Sequence, residues 1–218
     1  MAATLQDAPA RGTARLLLLD AAVKVIRTKG LNATTVDELC ATAGVTKGAF
    51  FHHFPSKEAL AIAAAQHWSE TTGALFAAAS YHDLPDPVER ILGYLELRAK
   101  LIVGAPAQYT CLVGTMTQEA FETSPAVRDA CAASILGHAG TLEADFAEAL
   151  AARHVDPAIT ATSLARHTQT VLQGAFVLSK AANDPAVVVD SISHLRRYLV
   201  YLFTPQGDHQ WQSKTWVR

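Results

Sequence analysis

The chain has 218 residues, half of them apolar, and a formal net charge of −2 at pH 7. This length fits one large or two small domains, the apolar fraction excludes disorder over most of the chain, and the small net charge excludes a basic field over the whole molecule. Charge is nevertheless uneven, because residues 1–60 hold seven Lys and Arg against five acids while the remainder holds eleven against fifteen, as in a nucleic-acid-binding head on a body with another role.

Almost every predicted element is a helix. An arm, residues 1–12, precedes a first helix from Thr13 to Lys29, which Gly30 ends because glycine accepts the left-handed backbone of a helix cap. Farther along, an Asp or Ser directly before Pro marks four capped helix starts. No run alternates apolar and polar residues between turn signals as a strand would. The sequence thus predicts an all-α protein of nine helices, the other eight over 36–43, 47–54, 57–80, 87–103, 106–121, 125–154, 157–183 and 185–203.

The second and third predicted helices carry the most specific pattern in the chain. From Thr34 the sequence reads T-T-V-D-E-L-C-A-T-A-G-V-T-K-G-A-F-F-H-H-F-P-S-K. Thr35 and Glu38 predict a capping box, Gly44 ends the first short helix, and Thr46 can cap the second. Two short helices joined by a tight turn containing Gly make a helix-turn-helix, whose second helix enters the major groove of DNA.

This stretch resembles the DNA-binding motif of the TetR-type bacterial transcriptional repressors, whose pattern is roughly T-T-x-x-x-[IL]-A-x-x-A-G-V-[ST]-x-G-x-[LIF]-Y-x-[HY]-F-x-S-K. The preceding L-L-D-A-A-V-K-V-I-R-T-K-G extends the resemblance to the first helix, and it stops near residue 70. Beyond that point, helix number and order agree with the family's architecture. The resemblance implies a helix-turn-helix DNA-binding domain over 13–55, a ligand-binding and dimerisation domain over 56–204 and a tail over 205–218.

The resemblance also implies roles for motif residues by position. The residues from Lys47 to Ala49, with His52, would face base edges, whereas His53 and Lys57 would contact phosphates. Phe51 departs from the family, because the usual Tyr would donate its hydroxyl to a phosphate and Phe cannot. The implied DNA-binding set is Thr34, Thr35, Thr46, Lys47, Gly48, Ala49, His52, His53 and Lys57.

Several predicted helices of the body hold polar groups among apolar ones. Core packing with a few buried hydrogen bonds accounts for most of these groups individually. The resemblance adds that the fourth to eighth helices enclose a cavity for a small, mostly apolar molecule, and such cavities are mostly apolar with few polar groups. The candidate ligand-binding residues form a pool rather than an assignment: Trp68, Thr71, Leu75, Tyr94, Arg98, Met116, Phe121, His138, Leu142, His167 and Thr170.

The last two predicted helices carry more apolar surface than one chain can cover. On the ninth, an apolar stripe has Tyr198 and Tyr201 beside it. Gly174 lies inside the eighth helix, where Gly costs about 1 kcal/mol relative to Ala. Close approach of a partner helix, or equally a tight contact within the chain, would offset that cost. The resemblance likewise implies a homodimer built from these helices. The predicted interface residues are Gly174, Phe176, Ile192, Leu195 and Tyr198.

The sequence carries no pattern of an enzyme, a metal centre or a membrane protein. It lacks a Gly-rich phosphate loop, a nucleophile elbow and a zinc signature. Its three cysteines include no C-x-x-C pair, which favours a reducing, cytoplasmic location. No secretory signal is visible, and no apolar run approaches the roughly 18 residues that span a membrane. We therefore expect no catalytic residue, cofactor, metal or membrane contact.

We predict a ligand-responsive transcriptional repressor that binds a palindromic operator in double-stranded DNA as a homodimer. Alternatives within the same fold are an activator and a redox-sensing regulator that uses Cys111 or Cys131. A further alternative is a helical carrier or enzyme whose motif no longer binds DNA, against which the intact Lys47, His53 and Lys57 argue. The sequence leaves open the effector, the operator and the role of the tail.

Overall fold

The computed structural model describes residues 11–153 and 155–204 of the chain. Every regular element within these residues is helical, which confirms the predicted all-α class. Residues 1–10 of the predicted arm, and the predicted tail with Trp211 and Trp216, lie outside the described residues. Besides a 3-10 helix at Ser80–Asp83, the helices are α1 Arg11–Lys29, α2 Val36–Ala43, α3 Lys47–His53, α4 Lys57–Ala77, α5 Pro87–Lys100, α6 Pro106–Tyr109, α7 Leu112–Ala120, α8 Pro125–Gly140, α9 Glu143–Ala152, α10 Ala161–Ala182 and α11 Ala186–Phe203.

Two predicted helices are each divided in the structure. The sixth is interrupted at Thr110, whose backbone is extended at φ −74° and ψ 162° and whose hydroxyl donates to the carbonyl of Pro106 at 2.7 Å. The seventh is interrupted at Thr141, whose hydroxyl donates to the carbonyl of His138 at 2.8 Å. Hydroxyl side chains that bond the nearby backbone in this way compete with regular helical hydrogen bonds. Apolar spacing alone did not reveal these breaks.

Helix starts follow the predicted caps in most places. Asp86 and Ser124 each accept a backbone amide of the first turn, at 2.8 and 3.3 Å. The eighth predicted helix is an exception, because Asp156 closes a separate turn and α10 begins only after Thr160, whose hydroxyl caps it at 3.1 Å.

Two apolar cores organise the chain, and α4 contributes to both. The first core fills the head, residues 13–55, around fully buried side chains such as Leu18 and Phe50. Leu60 of α4 and Met116 of α7 belong to this core, so the head and the body share it. The second core lies within the body, residues 56–204, and includes Phe76 near the end of α4. None of the described helices is long and apolar enough to cross a membrane.

Candidate DNA-binding surface and effector cavity

Local caps hold the helix-turn-helix together. Thr35 accepts the amide of Glu38 at 3.2 Å, and Thr46 accepts an amide in the first turn of α3 at 3.1 Å. Gly44 takes the left-handed backbone, φ 67° and ψ 30°, that ends α2. The predicted capping box is only half formed, because the Glu38 carboxylate pairs with Lys29 instead.

One face of α3 is buried and the other is exposed. Phe50 and Phe54 point into the core of the head. The opposite face therefore presents Lys47, Gly48 and His52 to solvent. This is the surface that a recognition helix offers to the major groove.

Neighbouring side chains define the edges of this face. The Lys47 ammonium lies 2.9 Å from the Asp37 carboxylate, and this hydrogen bond raises the pKa of Lys47. Phe51 is about half exposed, so it offers an apolar surface where the family's Tyr would offer a hydroxyl. His53 is half-buried, and its ring meets that of His52 edge-on with centroids 5.0 Å apart.

Two of the predicted DNA-contacting side chains already form hydrogen bonds to backbone carbonyls of the head. The Lys57 ammonium donates to the carbonyls of Leu31, Asn32 and Thr34 at 2.9, 3.3 and 2.9 Å. Because an ammonium has three donor protons, this loop uses all of them. Thr34 is itself buried and donates its hydroxyl to the carbonyl of Gly30 at 2.6 Å. Both side chains thus shape the loop between α1 and α2, and phosphate contact from either would require these bonds to break.

A cavity of about 220 Å³ lies in the body between α4, α5, α7, α8 and α10. Its apolar lining includes Trp68, Ile135 and Phe176. Ser69 and Ser134, from α4 and α8, also line it and bond each other through their hydroxyls at 2.6 Å. The cavity is thus an apolar chamber with polar groups at defined places, as small-molecule sites generally are.

A polar cluster, which we call the Arg98 cluster, consists of Arg98, Tyr94, His138 and Gln169. Arg98 donates its Nε to the Tyr94 hydroxyl at 2.9 Å and its Nη2 to His138 Nε2 at 2.8 Å. The Tyr94 hydroxyl also lies 3.1 Å from His138 Nε2, and it accepts the Gln169 side-chain amide at 3.1 Å. The guanidinium packs over the Phe76 ring, 4.3 Å from its centroid. Arg98, His138 and Gln169 line the cavity, and Tyr94 lies behind them, almost fully buried.

The protonation state of His138 follows from this environment. Burial and, to a lesser extent, the Arg98 charge lower the pKa of His138 to about 3. The imidazole is therefore neutral near pH 7. Because the Arg98 guanidinium can only donate, His138 Nε2 accepts this hydrogen bond, and the neutral ring carries its proton on Nδ1.

The cysteines occupy different environments, and all three are free thiols. Cys111 is half-buried and lines the cavity. Cys131 is buried, and burial raises its pKa to about 11, which disfavours the reactive thiolate. Burial also raises the pKa of Cys40 in the head.

The structure brings together only part of the predicted ligand pool. Trp68, Arg98 and His138 line the cavity, and Tyr94 supports them. Met116 and Leu142 are buried in the two cores. The remaining predicted residues are exposed and do not line the cavity: Thr71, Leu75, Phe121, His167 and Thr170.

Sequence reasoning also missed lining residues. On α4 it followed one helical stripe, whereas the cavity wall follows the neighbouring stripe of small side chains, which lies about a quarter turn away. Helical spacing alone does not say which of two adjacent stripes faces inward. The lining residues missed as ligand contacts include Ser69, Thr72, Gly73, Tyr109, Cys111, Gln169 and Phe176.

The predicted dimer residues fall into two groups. Gly174 and Tyr198 lie exposed on α10 and α11. Ile192 and Leu195 are buried in the chain's own second core, and Phe176 lines the cavity, so these three side chains are already covered within one chain. The apolar stripe of α11 therefore packs against its own body. The exposed side chains that remain for a partner, such as Tyr198, lie on a different face of the helix.

The head touches the cavity wall through Arg27 of α1. The Arg27 guanidinium lies over the Trp68 ring, 4.8 Å from its centroid, and its Nε donates to the carbonyl of Thr110 at 2.7 Å. The backbone N–H of Asn32 in the head also donates to the Glu119 carboxylate of α7, at 2.9 Å. Over the described residues, no group of three or more His, Cys, Asp or Glu is arranged to hold a metal ion.

Comparisons with known proteins agree with this architecture. A family model described as bacterial regulatory proteins of the tetR family matches residues 18–64, and a model of the tetracyclin repressor-like C-terminal domain matches residues 87–195. The HTH-type transcriptional repressor KstR2 of Rhodococcus jostii is 39% identical over 54 residues, which are 25% of this chain and 26% of that protein. The uncharacterized regulator YuxN of Bacillus subtilis is 38% identical over 56 residues, 26% of this chain and 19% of its own. The matches thus span only about a fifth to a quarter of these curated relatives.

Solved structures share the fold over most of the chain. A TetR-family regulator from Agrobacterium tumefaciens has a TM-score of 0.77 at 20% identity, covering 89% of this chain and 100% of that one. A TetR regulatory protein from Rhodobacter sphaeroides has a TM-score of 0.74 at 22% identity, covering 88% and 99%. The reduced form of E. coli NemR has a TM-score of 0.69 at 21% identity, covering 84% and 96%.

Proposed function

Since this chain belongs to the TetR family of bacterial transcriptional regulators, we propose that it is a homodimeric repressor that leaves its operator when a small molecule fills the body cavity. The family consists of regulators and not of enzymes. The contact of Arg27 with Trp68 carries the proposal, because it joins the head to the cavity wall. Operator DNA as a partner implies a cytoplasmic location.

The exposed face of α3 supports binding in the major groove. Lys47, Gly48 and His52 are available to base edges on this face, and the caps of α2 and α3 hold it in place without a ligand. Two heads of a dimer would meet half-sites about 34–36 Å apart, or a multiple of one helical turn. A palindromic operator follows from the two-fold symmetry.

The dimer proposal rests on exposed apolar surface along α10 and α11. Leu178 and Tyr201 are 60% and 57% exposed, and Val177 and Tyr198 lie nearby on the same two helices, also exposed. Large exposed apolar side chains grouped on two helices that pack together favour an interaction site. Gly174 lies one helical turn before Val177 and Leu178 on α10, and a Cβ at this position would meet no atom within 4 Å in one chain.

Gly174→Arg tests the dimer without disturbing the protomer. Arg is a better helix former than Gly, and the site is open within one chain, so the variant should fold. We expect it to be a monomer by light scattering, because a long charged side chain cannot be covered by a partner helix. Ala151→Arg, at an exposed site on α9, is the control that should stay dimeric. A dimeric Gly174→Arg would remove Gly174 from the interface.

The coupling of cavity to operator can be tested by filling the cavity with a side chain. Gly73 of α4 lines the cavity, and a Cβ there would meet no atom within 4 Å. Gly73→Leu should therefore mimic an effector and weaken the operator complex by about 5- to 150-fold, the range of typical allosteric coupling. Affinity for DNA from upstream of the chain's own gene is measured by gel shift.

The adjacent residue provides the control for that experiment. Ala74 is exposed and does not line the cavity, so Ala74→Leu adds similar bulk outside it. We expect this variant to bind DNA as the unmodified protein does. Equal affinity of Gly73→Leu and the unmodified protein would contradict the release mechanism. Failure of the unmodified protein to bind any upstream DNA would instead favour a helical binding protein without DNA recognition.

A further inference from the structure

The Arg98 guanidinium is a half-buried positive charge at the cavity. Its hydrogen-bonding partners are the Tyr94 hydroxyl and the neutral His138 imidazole, and neither carries a negative charge. Among the described residues, Arg98 forms no salt bridge with a carboxylate, and the Asp145 carboxylate pairs with Arg90 at 2.6 Å instead. A charge taken out of water is costly unless it is paired. The protein therefore does not neutralise the Arg98 charge, and an anionic ligand could pair with it.

The Arg98 cluster also fixes the direction of this charge. Tyr94 and His138 hold the Nε and Nη2 nitrogens, and the Phe76 ring covers one face of the guanidinium. Gln169 in turn holds the Tyr94 hydroxyl through its side-chain amide. A side chain locked in this way loses little rotational freedom when it binds, which strengthens each contact.

The rest of the chamber is suited to an apolar body. Trp68, Ile135 and Phe176 contribute apolar walls, and Arg27 fixes the indole of Trp68 from the head side. A volume of about 220 Å³ lies just below the roughly 300–1,000 Å³ of sites for drug-sized ligands. It admits a molecule the size of a single substituted ring or a short acyl chain.

We propose that the effector is a small organic carboxylate, whose anionic group pairs with Arg98 and whose apolar body lies against Trp68 and Phe176. The assignment rests on the proposed function, in which this cavity is the effector site. A neutral ligand of the same shape would shield the Arg98 charge from solvent without supplying an anion to pair with it. A guanidinium and a carboxylate match in charge and in planar geometry, and their hydrogen bonds are among the strongest in proteins.

Matched pairs of acid and amide test the assignment on the unmodified protein. The probes are phenylacetate with phenylacetamide, 3-phenylpropionate with 3-phenylpropionamide, and decanoate with decanamide, each pair nearly identical in shape. Binding is measured by titration calorimetry and by the rise in melting temperature, because a ligand that binds the folded state stabilises it. We expect at least one acid to bind, and its amide to bind at least about tenfold more weakly, since only the acid forms a charge-assisted pair.

Variants of Arg98 locate the effect. Arg98→Gln should reduce the affinity of that acid at least about tenfold and leave the affinity of its amide almost unchanged. Arg98→Lys keeps the charge and should recover part of the acid affinity. The acid and amide comparison on the unmodified protein stands even if a variant does not fold.

The outcomes separate this assignment from the proposed function. Three results would each overturn the carboxylate assignment. The amides could bind as tightly as their acids, the acids could bind Arg98→Gln with unchanged affinity, or all three acids could fail to bind. An amide that releases operator DNA would overturn it and leave the release mechanism standing. An acid that binds through Arg98 without changing operator affinity would confirm the anion site and refute the release mechanism.

Discussion

The head and the body use their polar side chains in different ways. In the head, the hydroxyls of Thr35 and Thr46 accept amides three residues away. In the body, Tyr94 and Gln169 bond each other across 75 residues of chain. A local bond fixes the shape of one segment, whereas a long-range bond fixes how separate helices meet. The head is therefore a preformed surface, and the cavity depends on several helices at once.

Tyr94→Phe should have the largest effect on stability, because it removes the long-range hydrogen bonds that hold the cavity helices together. The hydroxyl is the shared partner of Arg98, His138 and Gln169. Its loss leaves buried polar groups unsatisfied, and we expect the free energy of unfolding to fall by about 3 kcal/mol. Urea denaturation at a fixed protomer concentration measures this value.

Tyr109→Phe is the matched control for that prediction. Tyr109 is also a buried tyrosine at the cavity, but its hydroxyl bonds the Ser179 hydroxyl alone, at 2.5 Å. We expect a loss of about 1 kcal/mol, the contribution of a single hydrogen bond. Equal losses from the two variants would show that the Arg98 cluster acts as independent pairs rather than as a unit.

The same comparison explains what could be predicted from the sequence. The caps of α2 and α3 were predictable because donor and acceptor lie within four residues of each other. Trp68, Arg98 and His138 stood out as polar or large groups on apolar faces, and the structure places them at one cavity. The bond of Arg98 to His138 was not predictable, because it depends on how α5 and α8 pack, and helical periodicity carries no signal for that contact.

Lys57, the first residue of α4, departs from this pattern where it holds a loop of the head, and Lys57→Met should have the second largest effect. The ammonium reaches back 23 to 26 residues to three carbonyls of the loop between α1 and α2. Methionine fills similar space without a donor, so we expect the free energy of unfolding to fall by about 2 kcal/mol. The slope of log affinity against log salt for operator DNA should stay unchanged, because the loop already uses all three protons.

Lys24→Met, at an exposed site on α1, is the control for charge. It removes one positive charge from the head without removing a loop contact, and it should leave stability unchanged. A salt slope that Lys57→Met flattens by about one unit, beyond any change from Lys24→Met, would restore Lys57 as a phosphate contact.

Arg27→Met should have a smaller effect, at the junction of the two regions. Arg27 bonds the carbonyl of Thr110 and covers Trp68, and burial lowers its pKa. We expect the variant to reduce the coupling between cavity and operator by about 1 kcal/mol, as residues between coupled sites do. A double-mutant cycle with Gly73→Leu measures this, because the cycle isolates the interaction of the two sites.

The outcome of that cycle distinguishes a local from a long-range role. If Arg27 transmits the change, Gly73→Leu should weaken operator binding less in the Arg27→Met background than in the unmodified one. Lys24→Met, at an exposed site on the same helix, should leave the effect of Gly73→Leu intact. An unchanged effect in both backgrounds would place the coupling elsewhere along α4.

The smallest effect on folding is expected for the ion pair of Lys47 with Asp37 on the exposed face of the head. The two side chains are 58% and 74% exposed, so water solvates both charges and the pair adds little to stability. Lys47→Met and Asp37→Asn should both leave the melting temperature unchanged. Their effects should appear in DNA binding instead, because the pair lies at the predicted base-reading surface.

Operators with single base-pair changes distinguish whether Lys47 reads a base edge or contacts the DNA only through its charge. If Lys47 contacts a base edge, Lys47→Met should change the preference for one base pair per half-site by roughly tenfold and leave the ranking at other positions intact. Asp37→Asn should tighten every operator alike, because it removes a negative charge near the phosphates and releases Lys47. Glu70→Gln, which removes an exposed acid on α4 in the body, is the matched control. It should change neither the operator affinity nor the base preference. A Lys47→Met variant that weakens all operator variants by the same factor would make Lys47 a general charge contact, and base reading would then depend on the other exposed residues of α3.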